Sequence, residues 1–227
     1  MFKIAIFDLD GVVINSLELQ KRAFAACLSQ YNINDASLFK KFLLFSGDSL
    51  KNIFIQLGLP VGMVEIYRDF SKKNIEMIKL VDGITELLCK LNACNIVCTL
   101  CTGKDRERTL QILDKFRIKP FFRTVVCSDD VIYPKPHAES IITILKSFHF
   151  NAKCIMIGDA PNDIFCAKNA GIASIAVNWG EHENSILDNC HPNYCVTTIH
   201  ELEICLLNYF SAKTIESNRE PIAENTI

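Results

Sequence analysis

Five short runs of apolar residues, separated by segments with helical spacing, limit what this chain can fold into. The runs are KIAIFD at 3–8, NIVCTLC at 95–101, RTVVC at 123–127, KCIMIG at 153–158 and ASIAV at 173–177. Continuous apolar runs are typical of strands that are covered on both faces. Because helical patterns stand between most of these runs, the order predicts an α/β fold with a mostly parallel sheet wrapped by helices.

The segment at 16–79 departs from this alternation. It contains no run that indicates a strand, and its apolar residues fall at helical spacing, at Leu17, Phe24, Cys27, Leu28 and Tyr31 and again at Leu50, Ile53, Phe54 and Leu57. We therefore predict a small helical domain at 16–79, inserted into an α/β core domain made of 1–15 and 80–210. The tail at 211–227 is polar and lacks periodicity, which predicts disorder.

Composition excludes several classes of partner. The 227 residues are 49% hydrophobic and 22% charged, as expected of a globular chain. Lys and Arg together number 24 against 26 Asp and Glu, so no electrostatic footprint indicates nucleic acid or an anionic membrane.

No secretory signal or transmembrane run is present, which favours a cytoplasmic protein. The 11 cysteines lack the spacing of a disulfide framework and are expected to be free thiols. We expect a monomer or a weak homodimer.

Two acids, Asp8 and Asp10, close the first apolar run. Side chains two residues apart share a face of a strand, with Cα atoms roughly 6 to 7 Å apart. Two ionised carboxylates at that separation repel by a few kcal/mol at an effective dielectric of about 20. A divalent cation, a raised pKa on one acid or solvent exposure could each offset this repulsion.

Polar residues also follow three later strands at their carboxyl ends, the edge where open α/β sheets bind ligands. They are Thr102, Gly103 and Lys104 after the second strand, Lys135 after the third, and Gly158, Asp159 and Asp163 after the fourth. Carboxylate oxygens suit Mg²⁺, whose coordination substrate phosphate commonly completes. The hydroxyl of Thr102 and the backbone N–H of Gly103 can bond phosphate oxygens, and Lys135 can neutralise the charge that accumulates there.

This set of groups predicts a phosphoryl-transfer site. With a metal and Lys135 present, Asp8 is expected to stay ionised and to act as a nucleophile through a covalent aspartyl phosphate. Asp10, if its pKa is raised, can serve as the general acid and base.

The four groups resemble, in the same order, the motifs of the haloacid dehalogenase superfamily, over roughly residues 2–206. DLDGVV resembles its DxDGxx motif, Thr102 its second motif, Lys135 in PKP its third, and GDAPND its GDxxxD motif. The resemblance implies a Rossmann-like core and a helical cap at 16–79 that closes over the substrate on hinges near Asn15 and Asp82. The members most similar overall are phosphoglycolate-phosphatase-like. A weaker likeness is to the phosphatases that accompany 3-amino-5-hydroxybenzoate biosynthesis.

Carried over residue by residue, the resemblance implies Asp8 as nucleophile and metal ligand. It implies Asp10 as the acid and base whose backbone carbonyl binds the metal, and Asp159 as the remaining ligand. Asp163 would support the site. The residues that would bind phosphate are Thr102, Gly103 and Lys135. The implied cofactor is Mg²⁺, and the implied substrate is a small phosphorylated metabolite.

The sequence departs from the family pattern at two positions. Asn15 stands at a hinge position often occupied by Asp, and Gly103 stands where many members have Asn. In the helical segment, Gly47, Asp48 and Lys51 either face the substrate or form the solvated start of a helix, and the second interpretation is favoured. Lys104 is either a cation on the phosphate side or part of a charged helix start.

Other functions remain as alternatives. A sugar phosphomutase similar to β-phosphoglucomutase would carry a cap histidine where this chain has Gln20, and tends to have Glu-Asp at the fourth motif in place of Gly158-Asp159. A haloacid dehalogenase lacks the second acid of the first motif, here Asp10. A receiver-type phosphorylation switch has no helical insertion after its first strand. The hypothesis that fits these residues best is a Mg²⁺-dependent phosphatase.

Overall fold

The computed structural model describes residues 1–35, 37–181 and 184–212. Residues 213–227, which make up most of the tail predicted to be disordered, lie outside the described residues. None of the helices in the described ranges combines the length and the apolar character that crossing a bilayer requires.

A six-stranded parallel sheet forms the core, as predicted. Its strands are β1 (Phe2–Phe7), β4 (Val97–Cys101), β5 (Phe122–Val126), β6 (Ala152–Gly158), β7 (Ala173–Val177) and β8 (Tyr194–Val196), in the order β5-β4-β1-β6-β7-β8. All five neighbouring pairs are parallel. The first strand therefore lies at the centre, between the strands that precede the second and fourth motifs. The edge strand β8 was not predicted, because its apolar run of three residues is too short to indicate a strand.

Helices cover both faces of this sheet. The helices are α1 (Leu17–Gln30), α2 (Ser37–Leu44), α3 (Leu50–Gln56), α4 (Met63–Lys73), α5 (Ile84–Ala93), α6 (Arg106–Lys115), α7 (Glu139–Lys146), α8 (Pro161–Asn169), α9 (Asn184–Asp188) and α10 (Ile199–Ser211). Apolar residues of α5, α6 and α10 pack on one face, and those of α7 and α8 pack on the other. This two-sided burial explains why the strands read as continuous apolar runs.

A two-stranded antiparallel ribbon joins the sheet to the helices α1–α4. Its strands, β2 (Ile14–Asn15) and β3 (Lys79–Leu80), pair Ile14 with Leu80 and Asn15 with Lys79. The expectation that 16–79 contains no strand is therefore wrong at Lys79. A strand of two residues leaves no sequence pattern, because it is defined by its pairing partner alone.

The helices α1–α4 enclose a hydrophobic cluster of their own. Four aromatic side chains, Phe24, Phe42, Phe54 and Tyr67, stack within it, with ring centroids 4.8 Å apart for Phe24 and Phe42 and 6.3 Å apart for Phe54 and Tyr67. Offset and edge contacts at these separations stabilise beyond simple burial. The helices α1–α4 are therefore stabilised by a hydrophobic core of their own and pack against the edge of the sheet.

We predict that Phe54→Ala costs about 3 to 5 kcal/mol of unfolding free energy, since it empties a fully buried ring site. The matched control is Phe165→Ala on α8, because Phe165 is 41% exposed and its loss should cost within about 1 kcal/mol. Urea denaturation followed by circular dichroism measures both. Equal costs for the two variants would contradict the assignment of Phe54 to a packed core.

Candidate active site

The polar ends of four strands meet at the carboxyl edge of the sheet. Asp8 follows β1 directly, Thr102 follows β4, and Asp159 follows β6. Lys135 comes from the loop after β5, and all four of these residues are buried. Because β1 lies between β4 and β6, parallel pairing brings these side chains together across the centre of the sheet.

Lys135 is the cation at the centre of this site. Its Nζ lies 2.9 Å from Asp8 Oδ1 and 2.5 Å from Asp163 Oδ1, and it donates to the carbonyl of Cys101 at 3.1 Å. The side chain is only 1% exposed. Burial alone would lower the pKa of Lys135, but the carboxylates of Asp163 and Asp8 raise it well above the usual value. Lys135 is therefore held as a buried ammonium.

Three carboxylates gather beside this lysine. Oxygens of Asp8, Asp159 and Asp163 lie within 4.8 Å of one another. Burial, with repulsion from Asp163 and Asp10, raises the pKa of Asp8 to about 7 even though Lys135 opposes the shift. Burial and the carboxylates of Glu181 and Asp163 raise the pKa of Asp159 well above its usual value. The cluster thus carries more negative charge than its protein partners offset, and its hard oxygens fit a divalent cation.

Asp163 has a second contact that explains its position. It is the third residue of α8, and its Oδ2 accepts from the backbone N–H of Ala160 at 3.1 Å. Its other oxygen contacts Lys135. The carboxylate therefore both caps the helix and orients the lysine against Asp8.

Asp10 differs from the prediction. Its carboxylate lies 3.0 Å from Lys104 Nζ and accepts a short hydrogen bond from Ser16 Oγ. Burial would raise the pKa of Asp10, but Lys104 and Ser16 outweigh it and the pKa is lowered. The raised pKa that was the condition for Asp10 as the acid and base is found at Asp8 in this structure. The reason is Lys104, which pairs with Asp10, a contact that neither interpretation of Lys104 from the sequence included.

Gln20 and Glu181 belong to the site but were not predicted as site residues. Gln20 Nε2 donates to Ser16 Oγ at 2.8 Å and to Glu181 Oε1 at 2.6 Å, and the backbone N–H of Glu181 donates to Asp159 Oδ2 at 2.7 Å. Burial and repulsion from Asp10 raise the pKa of Glu181 to about 8. Glu181 is a polar residue in the loop after β7, so the expectation that polar residues at the carboxyl ends of strands form the site applies to it as well. No such sequence pattern indicates Gln20, which lies within a helix.

The segment at 45–48 closes over the cleft from the helical side. Asn162 Nδ2 donates to the carbonyls of Phe45 at 3.2 Å and of Ser46 at 2.9 Å. Gly47 and Asp48 line the cleft together with Asp8 and Thr102. Asp48 does stand at a helix start, because it directly precedes Ser49, the N-cap of α3. Since Gly47 and Asp48 also line the cleft, the interpretation in which they face the substrate describes their position better than a solvated helix start, whereas Lys51 is exposed and does not line the cleft.

At Gly103 the turn after β4 lies against the segment at 45–48 on the other side of the cleft. A Cβ at this position would overlap the backbone of Gly47 and Asp48. The backbone of Gly103 has no positive φ, so steric room rather than backbone conformation requires glycine here. This contact gives a physical reason for the departure from Asn, since a longer side chain would hold the helical segment away.

Arg108 and Tyr67 complete the cleft, and neither was predicted as a site residue. Arg108 lies in the first turn of α6, is 8% exposed, and stacks over the ring of Tyr67 at 5.6 Å from its centroid. Asp105 caps α6 and accepts from Arg108 Nε at 2.7 Å. A single arginine in a helix of ordinary composition carries no sequence signal of a site.

All the predicted site residues lie at this edge of the sheet. Asp8, Asp10, Thr102, Gly103 and Asp159 line one cleft. Lys135 reaches this cleft through its contact with Asp8, and Asp163 contacts Lys135. The hydroxyl of Thr102 accepts from the backbone N–H of Lys104 at 3.2 Å, which orients the turn after β4.

We predict that Gly103→Ala lowers kcat/KM by about 10- to 100-fold, because displaced cleft walls misplace the reacting groups. The control, Gly58→Ala, has the opposite properties: open space for a Cβ but a φ of +67°. It should cost about 1 kcal/mol of stability through backbone strain and leave activity unchanged. Steady-state kinetics and denaturation separate the two effects, and full activity in Gly103→Ala would contradict the contact.

Comparison with known proteins places this geometry in a family. The sequence profile of haloacid dehalogenase-like hydrolases matches residues 5–177. The pyrophosphatase PpaX of Oceanobacillus iheyensis is 25% identical and that of Bacillus mycoides 29% identical, each alignment covering 87% of this chain and 93% of the relative. The crystal structure of a predicted phosphatase from Clostridium acetobutylicum is 26% identical, with a TM-score of 0.80, and the match covers 92% of this chain and 99% of that one. The chain belongs to the haloacid dehalogenase-like hydrolase family and, within it, is a phosphatase.

Proposed function

We propose that this protein is a Mg²⁺-dependent phosphatase that hydrolyses a small phosphorylated metabolite through a covalent phosphate ester on Asp8. The observation that carries the proposal is the contact of Asp8 with Lys135 inside a buried cluster of carboxylates. A buried ammonium beside one carboxylate holds that carboxylate in place and offsets the charge of an incoming phosphate. The pyrophosphatase relatives are consistent with a phosphate ester or anhydride as substrate.

Asp8, Asp159 and the backbone carbonyl of Asp10 would hold the metal ion. Carboxylates whose pKa values are raised by burial and mutual repulsion are the donor set that a divalent cation stabilises. When bound, Mg²⁺ would supply positive charge that keeps Asp8 ionised and polarises the phosphate.

The chain's own groups then carry the reaction in two steps. Asp8 attacks phosphorus, and the bond from phosphorus to the leaving oxygen breaks. Asp10, once it has taken up a proton against the lowering of its pKa by Lys104 and Ser16, passes that proton to the leaving oxygen. In the second step a water attacks the phosphorus on Asp8 and gives its proton to Asp10. The bond from phosphorus to the Asp8 oxygen breaks, which releases inorganic phosphate and restores the Asp8 carboxylate for the next cycle. Thr102, Gly103 and Lys135 bind the phosphate oxygens throughout. Lys104 and Ser16 hold the Asp10 carboxylate beside the cleft.

We further propose that residues 16–79 act as a cap on the core made of 1–15 and 80–210. The ribbon of β2 and β3 is the pair of chain crossings between the two parts. Ion pairs that span the boundary hold the closed form, among them Arg68 with Asp105 at 3.1 Å and Lys72 with Glu107 at 2.8 Å. Closure of this kind excludes water from the reacting groups.

We predict that Asp8→Asn lowers phosphate release from p-nitrophenyl phosphate by at least about 1000-fold, because it removes the nucleophile. The matched control is Asp114→Asn on the outer face of α6, where the carboxylate is 63% exposed and only pairs with Lys119. EDTA should abolish the wild-type activity, and added Mg²⁺ should restore it. Full activity in Asp8→Asn, or in EDTA, would rule out the mechanism.

A second measurement separates hydrolysis from the phosphomutase alternative. We predict that a sugar 1-phosphate incubated with a sugar bisphosphate activator gives no isomerised sugar phosphate, because Gln20 is committed to Ser16 and Glu181 and cannot act as the mutase histidine does. Phosphorus NMR of the mixture distinguishes the products. Isomerised sugar phosphate without inorganic phosphate would overturn the phosphatase assignment.

A further inference from the structure

We propose that Arg108 forms a second anion subsite in the cleft, so that the substrate is a short phosphate ester or anhydride with a carboxylate or a second phosphate beyond its scissile bond. The inference rests on the proposed phosphatase function, which it deepens by naming the substrate class. Arg108 lines the same cleft as Asp8 and lies in the first turn of α6, which follows the turn that holds Thr102 and Gly103. With the transferred phosphate on Thr102 and Gly103, an anion on Arg108 would belong to the leaving part of the substrate.

The guanidinium of Arg108 is buried, oriented and only partly used. Its Nε is committed to Asp105 at 2.7 Å, and its plane lies over Tyr67. Among the described residues, no group accepts a hydrogen bond from its two terminal nitrogens. Because Asp105 fixes the Nε side of the guanidinium, the two terminal nitrogens are available to a ligand. Their planar, paired N–H groups match the two oxygens of a carboxylate or phosphate.

Each acid that shares the cleft has hydrogen-bonding partners other than Arg108, although the charge of Arg108 contributes to the lowered pKa of Asp10. Asp48 accepts from Asn52 Nδ2 and Gln56 Nε2, both at 2.9 Å. Glu181 accepts from Gln20, and Asp10 is paired with Lys104. The cation nearest in sequence, Lys104, is thus neutralised, whereas the terminal nitrogens of Arg108 remain for a ligand.

The size of the closed cleft favours a short molecule. Its cavity is about 50 Å³, and a cavity of roughly 10 to 15 Å³ suffices for one water molecule. The apolar side chains of Phe42, Leu50 and Ile53 close the cleft on the helical side. A long sugar or nucleoside would therefore keep the segment at 45–48 from closing, whereas a few atoms between phosphate and second anion would not.

The test compares substrates that differ only in the second group. Wild-type enzyme and Arg108→Gln are assayed with 2-phosphoglycolate, which carries a carboxylate, with pyrophosphate, which carries a second phosphate, and with 2-hydroxyethyl phosphate, which is neutral there. We expect Arg108→Gln to lower kcat/KM about 10- to 100-fold for the anionic substrates, mainly through KM, as the loss of a charge-assisted hydrogen bond predicts. The neutral ester should change by less than about twofold. A loss confined to one anionic substrate identifies whether the subsite takes carboxylate or phosphate.

Two further variants keep the test independent of folding. Arg68→Gln removes the other arginine that contacts Asp105, but Arg68 does not line the cleft, so the substrate preference should stay as in wild type. Arg108→Lys keeps the charge without the fork and should restore part of the preference. For substrates that turn over too slowly, inhibition of p-nitrophenyl phosphate hydrolysis gives the same comparison.

The possible outcomes distinguish a failure of the Arg108 subsite from a failure of the proposed phosphatase function. Equal losses on anionic and neutral substrates, or a wild-type preference for the neutral ester, would overturn the subsite and leave the phosphatase intact. Absence of phosphate release from every ester, including p-nitrophenyl phosphate, would overturn the proposed function and the subsite with it.

Discussion

The contact of Lys135 with Asp8 and Asp163 is the interaction around which the site is arranged. Removing an ammonium and two carboxylates from water costs several kcal/mol per ion, and their attraction repays this only when the remaining donors and acceptors are satisfied. Here Lys135 also donates to the carbonyl of Cys101, and Asp163 also accepts from Ala160. The cluster thereby ties β4, the loop after β5, β1 and α8 to one point of the sheet edge.

The same cluster explains why the two acids of the first motif are not equivalent. Asp8 is buried close to Asp163 and Asp10, so burial and repulsion raise its pKa to about 7 although Lys135 opposes the shift. Asp10 is paired with Lys104 and accepts from Ser16, and these contacts lower its pKa. A cation held by Asp8 and Asp159 would relieve the repulsion at Asp8. The electrostatics of the protein groups therefore favour a cation beside Asp8 and Asp159.

Most of the fold and the central site residues could be predicted from sequence, because each depends on a local pattern. The apolar runs identified five of the six core strands, and the strand-end rule located Asp8, Thr102, Lys135 and Asp159. Glu181 was missed only because the rule was not extended to β7. Gln20 and Arg108 could not have been found this way, because both lie within helices and become site residues only through packing of the helical segment against the sheet edge.

The sequence alone determined which chemical groups are available at the sheet edge. Polar residues follow the strands at their carboxyl ends, and a parallel sheet brings those ends to one edge, so the carboxylates, the hydroxyl of Thr102 and the ammonium of Lys135 must lie there together. The tertiary structure decided how those groups are paired. That Gly103 lies against the backbone of Gly47 and that Arg108 lines a closed cleft depend on where the helices α1–α4 pack, whereas the contact of Lys104 with Asp10 forms within the core. Such contacts join residues tens of positions apart, and electrostatic and steric effects act over a few ångströms of space, which local sequence patterns do not encode.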